Sequence, residues 1–292
     1  HLYCLDYHMN LQKPYSPDDF AKVKGDDAAM QYGAMNFPVK PILEEIEVYA
    51  GLGFDYFELA MDPPCAHHTR IRREMAAIRA ALDRHGMGLV CHLPTFLSTA
   101  DLTESLRRAS TEELHASLSL AAELGAAKAV LHPSYVNGLS THVPELWREY
   151  ALESLAGVTD AARACGVGLC LENLFPRISP LSTPEAFQEV FDRFPDLRMT
   201  LDLGHAHIGE EGMARILGFI QAFPDRIRHL HVSDNRGKRD DHLPLGQGSL
   251  DFPAAADALR AAGYDGTITL EIFDPDRNAL VRAREYLDGL FR

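Results

Sequence analysis

Histidine and carboxylate side chains close, or directly follow, six consecutive short apolar runs of this 292-residue sequence. Neutral imidazole nitrogen and carboxylate oxygen together suit Zn²⁺, Mn²⁺ and related divalent cations. A single such residue is as often a helix cap or a loop hydrogen bonder, but six successive occurrences predict a divalent-metal site for one to three ions. The nine candidate ligands are His92, His132, Glu172, Asp202, His205, His231, Asp240, His242 and Glu271.

Two histidines of one apolar run, His229 and His231, have to be considered separately. Side chains alternate along a strand, so residues two apart share a face. His231 lies nearer the end of the run and is the better ligand, whereas His229 is predicted to pack one layer deeper. His207, two residues beyond His205, is predicted to lie on the surface.

Glu172 and Glu271 end two well-separated runs and form a candidate catalytic pair. Two carboxylates beside a metal could move a proton between adjacent carbons of a substrate, one carboxylate on each face. The alternative is that both carboxylates serve only as metal ligands. The residues alone leave the two roles open.

Short apolar runs alternate with longer amphipathic segments from about Met30 to the C-terminus. This alternation is typical of parallel strands joined by crossover helices. Eight repeats predict a single closed (β/α)8 barrel over residues 30–292, after a short irregular N-terminal extension, residues 1–29. The strand C-termini form the active face of such a barrel, which would bring the nine candidates together. The predicted strands are 31–36, 56–60, 88–93, 129–132, 168–172, 199–202, 227–232 and 267–272.

Glycines and capping residues mark where the predicted helices end and begin. Gly125, Gly166 and Gly263 stand shortly before predicted strands, and glycine tolerates the left-handed backbone that closes a helix. Thr183 and Asp251 precede helix starts that contain proline, where their side chains can accept from the first free amides.

The formal net charge of −14 counts against general nucleic-acid binding, because that affinity comes mainly from Lys and Arg neutralising phosphates. A local basic groove, and with it a nucleic-acid partner, stays open. Five cysteines without a CxxC pair favour reduced thiols over a disulfide framework. No apolar stretch approaches the roughly 20 residues that cross a bilayer, and no signal-peptide pattern is present. We therefore expect a cytoplasmic protein without membrane contact, and a homo-oligomer stays open.

The ordered set from His92 to Glu271, with its HLP, HP and HLPLGQG segments, resembles the xylose isomerase-like TIM barrel superfamily. That superfamily includes sugar isomerases, ketose 3-epimerases, inosose dehydratases and endonuclease IV. For the isomerase and epimerase branch, the resemblance implies that Glu172 and Glu271 act as acid and base, with His205 contacting the substrate. The implied ligands of its single divalent metal are Glu172, Asp202, His231 and Glu271.

For the endonuclease IV branch, the resemblance implies three zinc ions, with a match at every ligand position. The three implied sets are His92, His132 and Glu172; Glu172, Asp202, His231 and Glu271; and His205, Asp240 and His242. The first strand lacks that branch's early histidine, and Thr95-Phe96 replaces its tyrosine–leucine step. We therefore rank a metal-dependent isomerase or epimerase of a sugar, sugar phosphate or polyol first. An endonuclease IV-like zinc phosphodiesterase acting on abasic DNA ranks second, and a non-catalytic metal-binding barrel ranks third.

Other residues of the predicted active face concern the substrate, for which a small carbohydrate is expected. Arg236 and Arg239 are candidate substrate-binding residues, because guanidinium groups grip phosphate or sugar oxygens; a solvated loop is the alternative. Residues 246–249 stand where barrels often bind phosphate, although a plain turn explains them equally. Lys128 is predicted to precede the fourth strand, at the wrong end for a Schiff-base aldolase.

Overall fold

Eight short parallel strands, taken in chain order, close into a barrel. The computed structural model describes residues 30–292, so the predicted extension, residues 1–29, lies outside the described residues. The last strand pairs with the first, with Gln31 opposite Thr267, and this confirms the predicted (β/α)8 TIM barrel. The strands are β1 (Gln31–Met35), β2 (Tyr56–Ala60), β3 (Gly88–His92), β4 (Lys128–Leu131), β5 (Gly168–Glu172), β6 (Arg198–Asp202), β7 (Ile227–Val232) and β8 (Thr267–Leu270).

Helices surround the barrel and connect its strands. Within residues 30–292 they are α1 (Ile42–Gly51), α2 (His68–His85), α3 (Glu104–Leu124), α4 (Pro144–Cys165), α5 (Pro184–Arg193), α6 (Leu203–His207), α7 (Gly212–Ala222), α8 (Phe252–Ala261) and α9 (Asn278–Phe291). The predicted turns at Gly125, Gly166 and Gly263 are confirmed, with φ angles of 79°, 69° and 71°. Thr183 and Asp251 cap α5 and α8 as predicted, each accepting from the amide three residues on.

Three strands, β2, β5 and β7, have the predicted bounds, the other five differ by one or two residues at one or both ends, and one difference concerns a charged residue. Lys128, predicted to precede the fourth strand, is the first residue of β4 and is buried. Its Nζ donates to Arg228 O at 2.9 Å and to Thr267 Oγ1 at 3.0 Å. These acceptors compensate the buried ammonium group, which is why a strand can begin with lysine.

The main apolar core lies between the barrel wall and the helices. Outward-facing strand residues such as Phe57 and Leu59 are fully buried in it. The barrel interior contains a separate small apolar cluster of Tyr56, Val90 and Val130, together with buried polar side chains. Branched apolar residues dominate the interior of most such barrels, so buried polar side chains in this interior indicate a binding or catalytic site.

The described cysteines Cys65, Cys91, Cys165 and Cys170 are free thiols, as predicted; Cys4 lies outside the described residues. Among residues 30–292, no helix has the length and apolar character that would let it cross a membrane.

Candidate metal centre

The ends of β3 to β8 and the loops behind them bring all nine candidate ligands to one mouth of the barrel. Parallel register places Asp202 directly opposite His231 on the neighbouring strand. Six of the nine are buried, and His132, Asp240 and His242 are partly exposed. The donors fall into three groups that share residues.

His92 and His132 form the first group with Glu172. Nε2 of each imidazole lies 3.2 Å from Glu172 Oε2. The three residues end, or directly follow, three neighbouring strands, so their separation is fixed by the barrel wall. Their donor atoms lie within 4.8 Å of one another, which suits a divalent ion.

Nδ1 of His231 is the centre of the second group. It lies 3.1 Å from Glu271 Oε1, 3.4 Å from Glu172 Oε2 and 3.9 Å from Asp202 Oδ2. Glu172 therefore belongs to the first and second groups, and its carboxylate could bridge two ions.

The third group joins α6 to the loop after β7. Asp240 Oδ2 lies 3.2 Å from His205 Nε2 and 3.0 Å from His242 Nε2. Asp202 caps α6 by accepting from His205 N at 2.6 Å, which explains the three-residue spacing between these two donors. His242 has a φ of 46°, a left-handed conformation that is costly for a residue with a side chain. The fold of the loop therefore fixes the backbone of His242 in this conformation, and with it the direction of the imidazole ring.

Backbone carbonyls fix the ring orientation of three histidines. Nδ1 of His92, His205 and His242 each lies against a main-chain carbonyl, at 2.8, 3.0 and 3.0 Å. A carbonyl can only accept, so Nδ1 carries the proton and donates it. Nε2 is then the nitrogen that points into the centre; in metal-binding histidines a carbonyl commonly holds one ring N–H in this way while the other nitrogen binds the ion.

The other two histidines are held by side chains. His132 Nδ1 lies 2.6 Å from the Tyr135 hydroxyl, and His231 donates from Nε2 to Glu58 at 2.9 Å. His231 Nδ1 and Glu172 Oε1 are buried without a well-formed hydrogen bond, although Glu271 Oε1 lies 3.1 Å from the first atom and His205 Nδ1 lies 3.0 Å from the second. Orphaned donors and acceptors of this kind inside a cage of imidazole and carboxylate fit a divalent metal.

Burial and charge have opposite effects on the pKa values of this centre. Burial raises the pKa of Asp202 to about 7; His205 opposes the rise and neighbouring carboxylates add to it. Burial would lower the pKa of His231 and His242, but the carboxylates raise the pKa of His231 well above its usual value and that of His242 to about 9. Protons on these imidazoles therefore balance the carboxylates in the metal-free protein.

We expect the affinity for a divalent metal to rise with pH, because those protons must leave before the nitrogens can act as ligands. Affinity is lowest below pH 7, where Asp202 and the histidines hold protons, and it increases towards pH 9, where His242 loses its proton. Each released proton contributes about tenfold per pH unit. Zn²⁺ calorimetry at pH 6, 7 and 8, in buffers of different ionisation enthalpy, measures the metal affinity and the number of protons released on binding. Binding that is independent of pH, without proton release, would contradict this expectation.

Glu58 is also part of the candidate site, although it is not among the nine ligands predicted from the sequence. It lies in the middle of β2, fully buried in the barrel. Its two oxygens accept from His231 Nε2 and His229 Nε2, each at 2.9 Å, and the Thr269 hydroxyl also donates to it. His229 lies one layer deeper than His231, with Nδ1 2.6 Å from Thr267 Oγ1. The available signal was a glutamate inside an otherwise apolar strand.

Comparison with known proteins assigns the fold to a family. Residues 46–290 match the model that describes the xylose isomerase-like TIM barrel. The chain belongs to this family.

Relatives of this xylose isomerase-like barrel carry different names. A putative hydroxypyruvate isomerase of Streptomyces coelicolor is 27% identical over 253 residues, covering 80% of this chain and 86% of that protein. A probable endonuclease 4 of Mycobacterium leprae is 28% identical over 182 residues, covering 59% and 68%. The crystal structure of a D-tagatose 3-epimerase-like protein shares the fold, with a TM-score of 0.77 at 24% identity over 89% of this chain and 97% of that one.

His207 of the xylose isomerase-like barrel does not lie where it was predicted, and the two arginines with a predicted substrate-binding role are exposed. His207 is buried, so the surface prediction was wrong: its Nε2 lies 2.9 Å from Ser249 Oγ, and the loop after β7 covers it. Arg239 has an 83% exposed side chain with Nε 3.7 Å from Asp241 Oδ1, and Arg236 is also exposed. A substrate-binding role for the two arginines stays a prediction.

Asp234 organises the glycine-containing turn at residues 246–249. Its carboxylate accepts from the amides of Gly246, Gly248 and Leu250 at 2.9, 2.8 and 3.2 Å. A Cβ at Gly248 would lie 2.2 Å from Asp234 Oδ1, so close approach requires glycine there. The turn amides are thus used within the protein, which favours the plain-turn interpretation over a phosphate site.

Proposed function

We propose that this protein is a divalent-metal-dependent isomerase or epimerase that moves a proton between carbons of a sugar or of a polyol that carries a carbonyl group. One observation carries the proposal: a carboxylate oxygen of Glu172 lies 3.4 Å from His231 Nδ1, and one of Glu271 lies 3.1 Å from the same nitrogen. The two glutamates stand at the ends of β5 and β8, which are three strands apart in the barrel. Two carboxylates on different sides of one small space can each serve one face of a substrate carbon. The family, with its isomerase and epimerase-like relatives, supports the same class of reaction.

In this reaction, one glutamate takes the proton from the carbon beside a carbonyl group, and the other returns a proton to the neighbouring carbon or the opposite face. Burial would raise the pKa of Glu172, but His132 and His231 hold it well below its usual value, so this carboxylate is ionised and able to accept. A bound divalent cation would polarise the oxygens of the substrate. His205, whose Nδ1 is 3.0 Å from Glu172 Oε1, is placed to contact one of those oxygens.

The loop after β7 supports an uncharged carbohydrate over a sugar phosphate. Its turn amides already bind Asp234 rather than an exogenous anion. Arg236 and Arg239 are exposed at the surface of the same loop, where they would contact outer hydroxyl groups of a substrate.

The proposal is tested by proton exchange. Metal-loaded protein is incubated in D₂O with a panel of ketoses, aldoses and polyols, and NMR follows both product and deuterium at each carbon. We expect one substrate to gain a single deuterium and to interconvert with its epimer or isomer, and a chelator to stop both changes. Absence of exchange with every carbohydrate in fully metal-loaded protein would contradict the proposal.

Glu271→Gln separates the proton-transfer role of this residue from metal binding. The amide keeps an oxygen that can act as a ligand but cannot take a proton, so we expect exchange to fall by about 10²–10⁴-fold. Metal content, measured by mass spectrometry, should remain within a factor of two of wild type, as a rough bound for a retained ligand oxygen. Equal loss of metal and of exchange would show that Glu271 acts only as a ligand.

A second candidate function is zinc-dependent hydrolysis of phosphodiesters in abasic DNA. It is favoured by the three donor groups, which bring together every ligand implied for a trinuclear zinc centre, and by the endonuclease 4 relative. Cleavage of an abasic duplex without exchange on any carbohydrate would replace the first proposal by this one. Bound metal without either activity would indicate a metal-binding module.

A further inference from the structure

His67 and His68 form a second cluster of donors outside the barrel mouth. They stand at the start of α2, and their ring centroids are 4.2 Å apart. Nε2 of each ring lies 3.0 Å from the same oxygen, Oε2 of Glu113 on α3. The cluster therefore joins two neighbouring helices on the outer face of the barrel.

The donor atoms of this cluster are arranged as a transition metal would require. The three atoms lie within 4.8 Å of one another. Ligand atoms on a tetrahedral zinc ion stand about 3.3 Å apart, given bonds of about 2.0–2.1 Å, so small side-chain movements would admit an ion. The three side chains are 33%, 17% and 39% exposed, which gives an ion direct access.

The neighbourhood can also support the ligand form of His67. Its Nδ1 accepts from Thr69 N at 3.3 Å and lies 2.9 Å from Thr69 Oγ1. When Nε2 binds a metal, Nδ1 carries the proton, so it gives up the bond from Thr69 N and donates to the Thr69 hydroxyl instead, as ligand histidines commonly do to a nearby acceptor. The wild-type cluster thus has an outer partner for the tautomer that binding requires.

Charge around the cluster is consistent with a cation. The start of α2 carries partial positive charge, which disfavours a cation, but the Glu113 carboxylate offsets it. The neighbouring Arg72 pairs with Glu123 at 2.7 Å.

We infer that His67, His68 and Glu113 form a binding site for a divalent transition-metal ion such as Zn²⁺, separate from the metal centre at the mouth. Two imidazoles with one carboxylate select such ions over Mg²⁺ or Ca²⁺, which prefer oxygen donors. The bound ion cross-links the start of α2 to α3 and stabilises the outer wall of the barrel next to the loop after β2. This inference is independent of the reaction at the mouth.

The experiment titrates Zn²⁺ into the chelator-treated protein and compares wild type with His68→Gln and Glu113→Gln. We expect each variant to lose one ion per chain, or to bind that ion at least about tenfold more weakly, since even an outer partner of a ligand contributes about 10–100-fold. His115→Gln is the matched control, because His115 is an exposed histidine of α3, the helix that carries Glu113. It should bind as wild type does.

Thermal unfolding completes the test. With chelator present, the Tm of both variants should equal that of wild type within a few degrees, since the replaced side chains are partly exposed. Zn²⁺ should raise the Tm of the wild type and the His115→Gln protein above that of the two variants. Unchanged stoichiometry and affinity in both variants would overturn the inference, whether or not the mouth turns over a carbohydrate.

Discussion

Replacing Glu172 by alanine is expected to remove divalent metal from the mouth of the barrel and to lower carbohydrate turnover by about 10²–10⁴-fold. Glu172 Oε2 lies 3.2 Å from His92 and His132 and 3.4 Å from His231, so one carboxylate serves two donor groups. Without it, the three imidazoles face one another with no central negative charge, and a cation loses its shared ligand. Metal content by mass spectrometry and kcat/KM measure the two effects.

Glu45→Gln is the matched control for this replacement. Glu45 is also a buried glutamate, but it lies on α1 and pairs with Arg277 at 2.7 Å, away from the nine donors. This variant should be less stable yet keep its metal and its turnover. If Glu172→Ala retains a full complement of metal, or if Glu45→Gln loses as much, the assignment of Glu172 as the shared ligand fails.

The fold and the position of the candidate ligands follow from local sequence signals. Alternating apolar and amphipathic segments predict the strands, and glycines such as Gly125 and Gly166 mark the helix ends, because these signals depend on neighbouring residues. Once the strands are in order, barrel closure brings their C-terminal ends to one mouth. His92 and Glu271 could therefore be expected in one site although they are far apart in the chain.

Residues whose setting depends on distant contacts could not be placed in the same way. Glu58 stands in the middle of β2, and its partners His229 and His231 lie on β7, so only the closed barrel reveals the pairing. His207 follows a strand end like a surface residue, and it is buried only because Ser249 and its loop fold over it. Burial of this kind is a property of tertiary packing and leaves no periodic trace in the sequence.

The third donor group depends on one loop more than the other two do. Asp240 and His242 lie on the segment after β7, which is held by the bridge between Asp234 and Leu243 and by the turn amides on Asp234. The first two groups instead come from strand ends and the residues directly after them. Sequence change in this one loop could therefore alter the number of ions while leaving the metal shared by both enzyme candidates in place.

Replacing Glu58 by glutamine is expected to lower metal affinity at the mouth by about 10–100-fold, although Glu58 is not one of the nine donors. Both Glu58 oxygens accept protons, one from His231 and one from His229. Glutamine keeps one acceptor oxygen and presents an N–H donor at the other position, so one of the two histidines loses its acceptor. A His231 ring that is no longer held by Nε2 does not keep Nδ1 aimed at Glu271 and Glu172.

Tyr56→Phe is the control that separates ring positioning from a general disturbance of this layer. The Tyr56 hydroxyl bonds Thr269 Oγ1 at 2.8 Å in the same interior layer, but it does not contact His231. We expect this variant to lose stability, by about 1 kcal/mol for one buried hydrogen bond, and to keep the metal affinity of wild type. With Zn²⁺ bound, nitrogen-15 NMR of the histidine rings should show His231 with its proton on Nε2 and its Nδ1 as the ligand in wild type and Tyr56→Phe, and a mixture of ring states in Glu58→Gln. Because a purely structural loss would weaken both variants alike, equal metal affinity in Glu58→Gln and Tyr56→Phe would exclude a positioning role for Glu58.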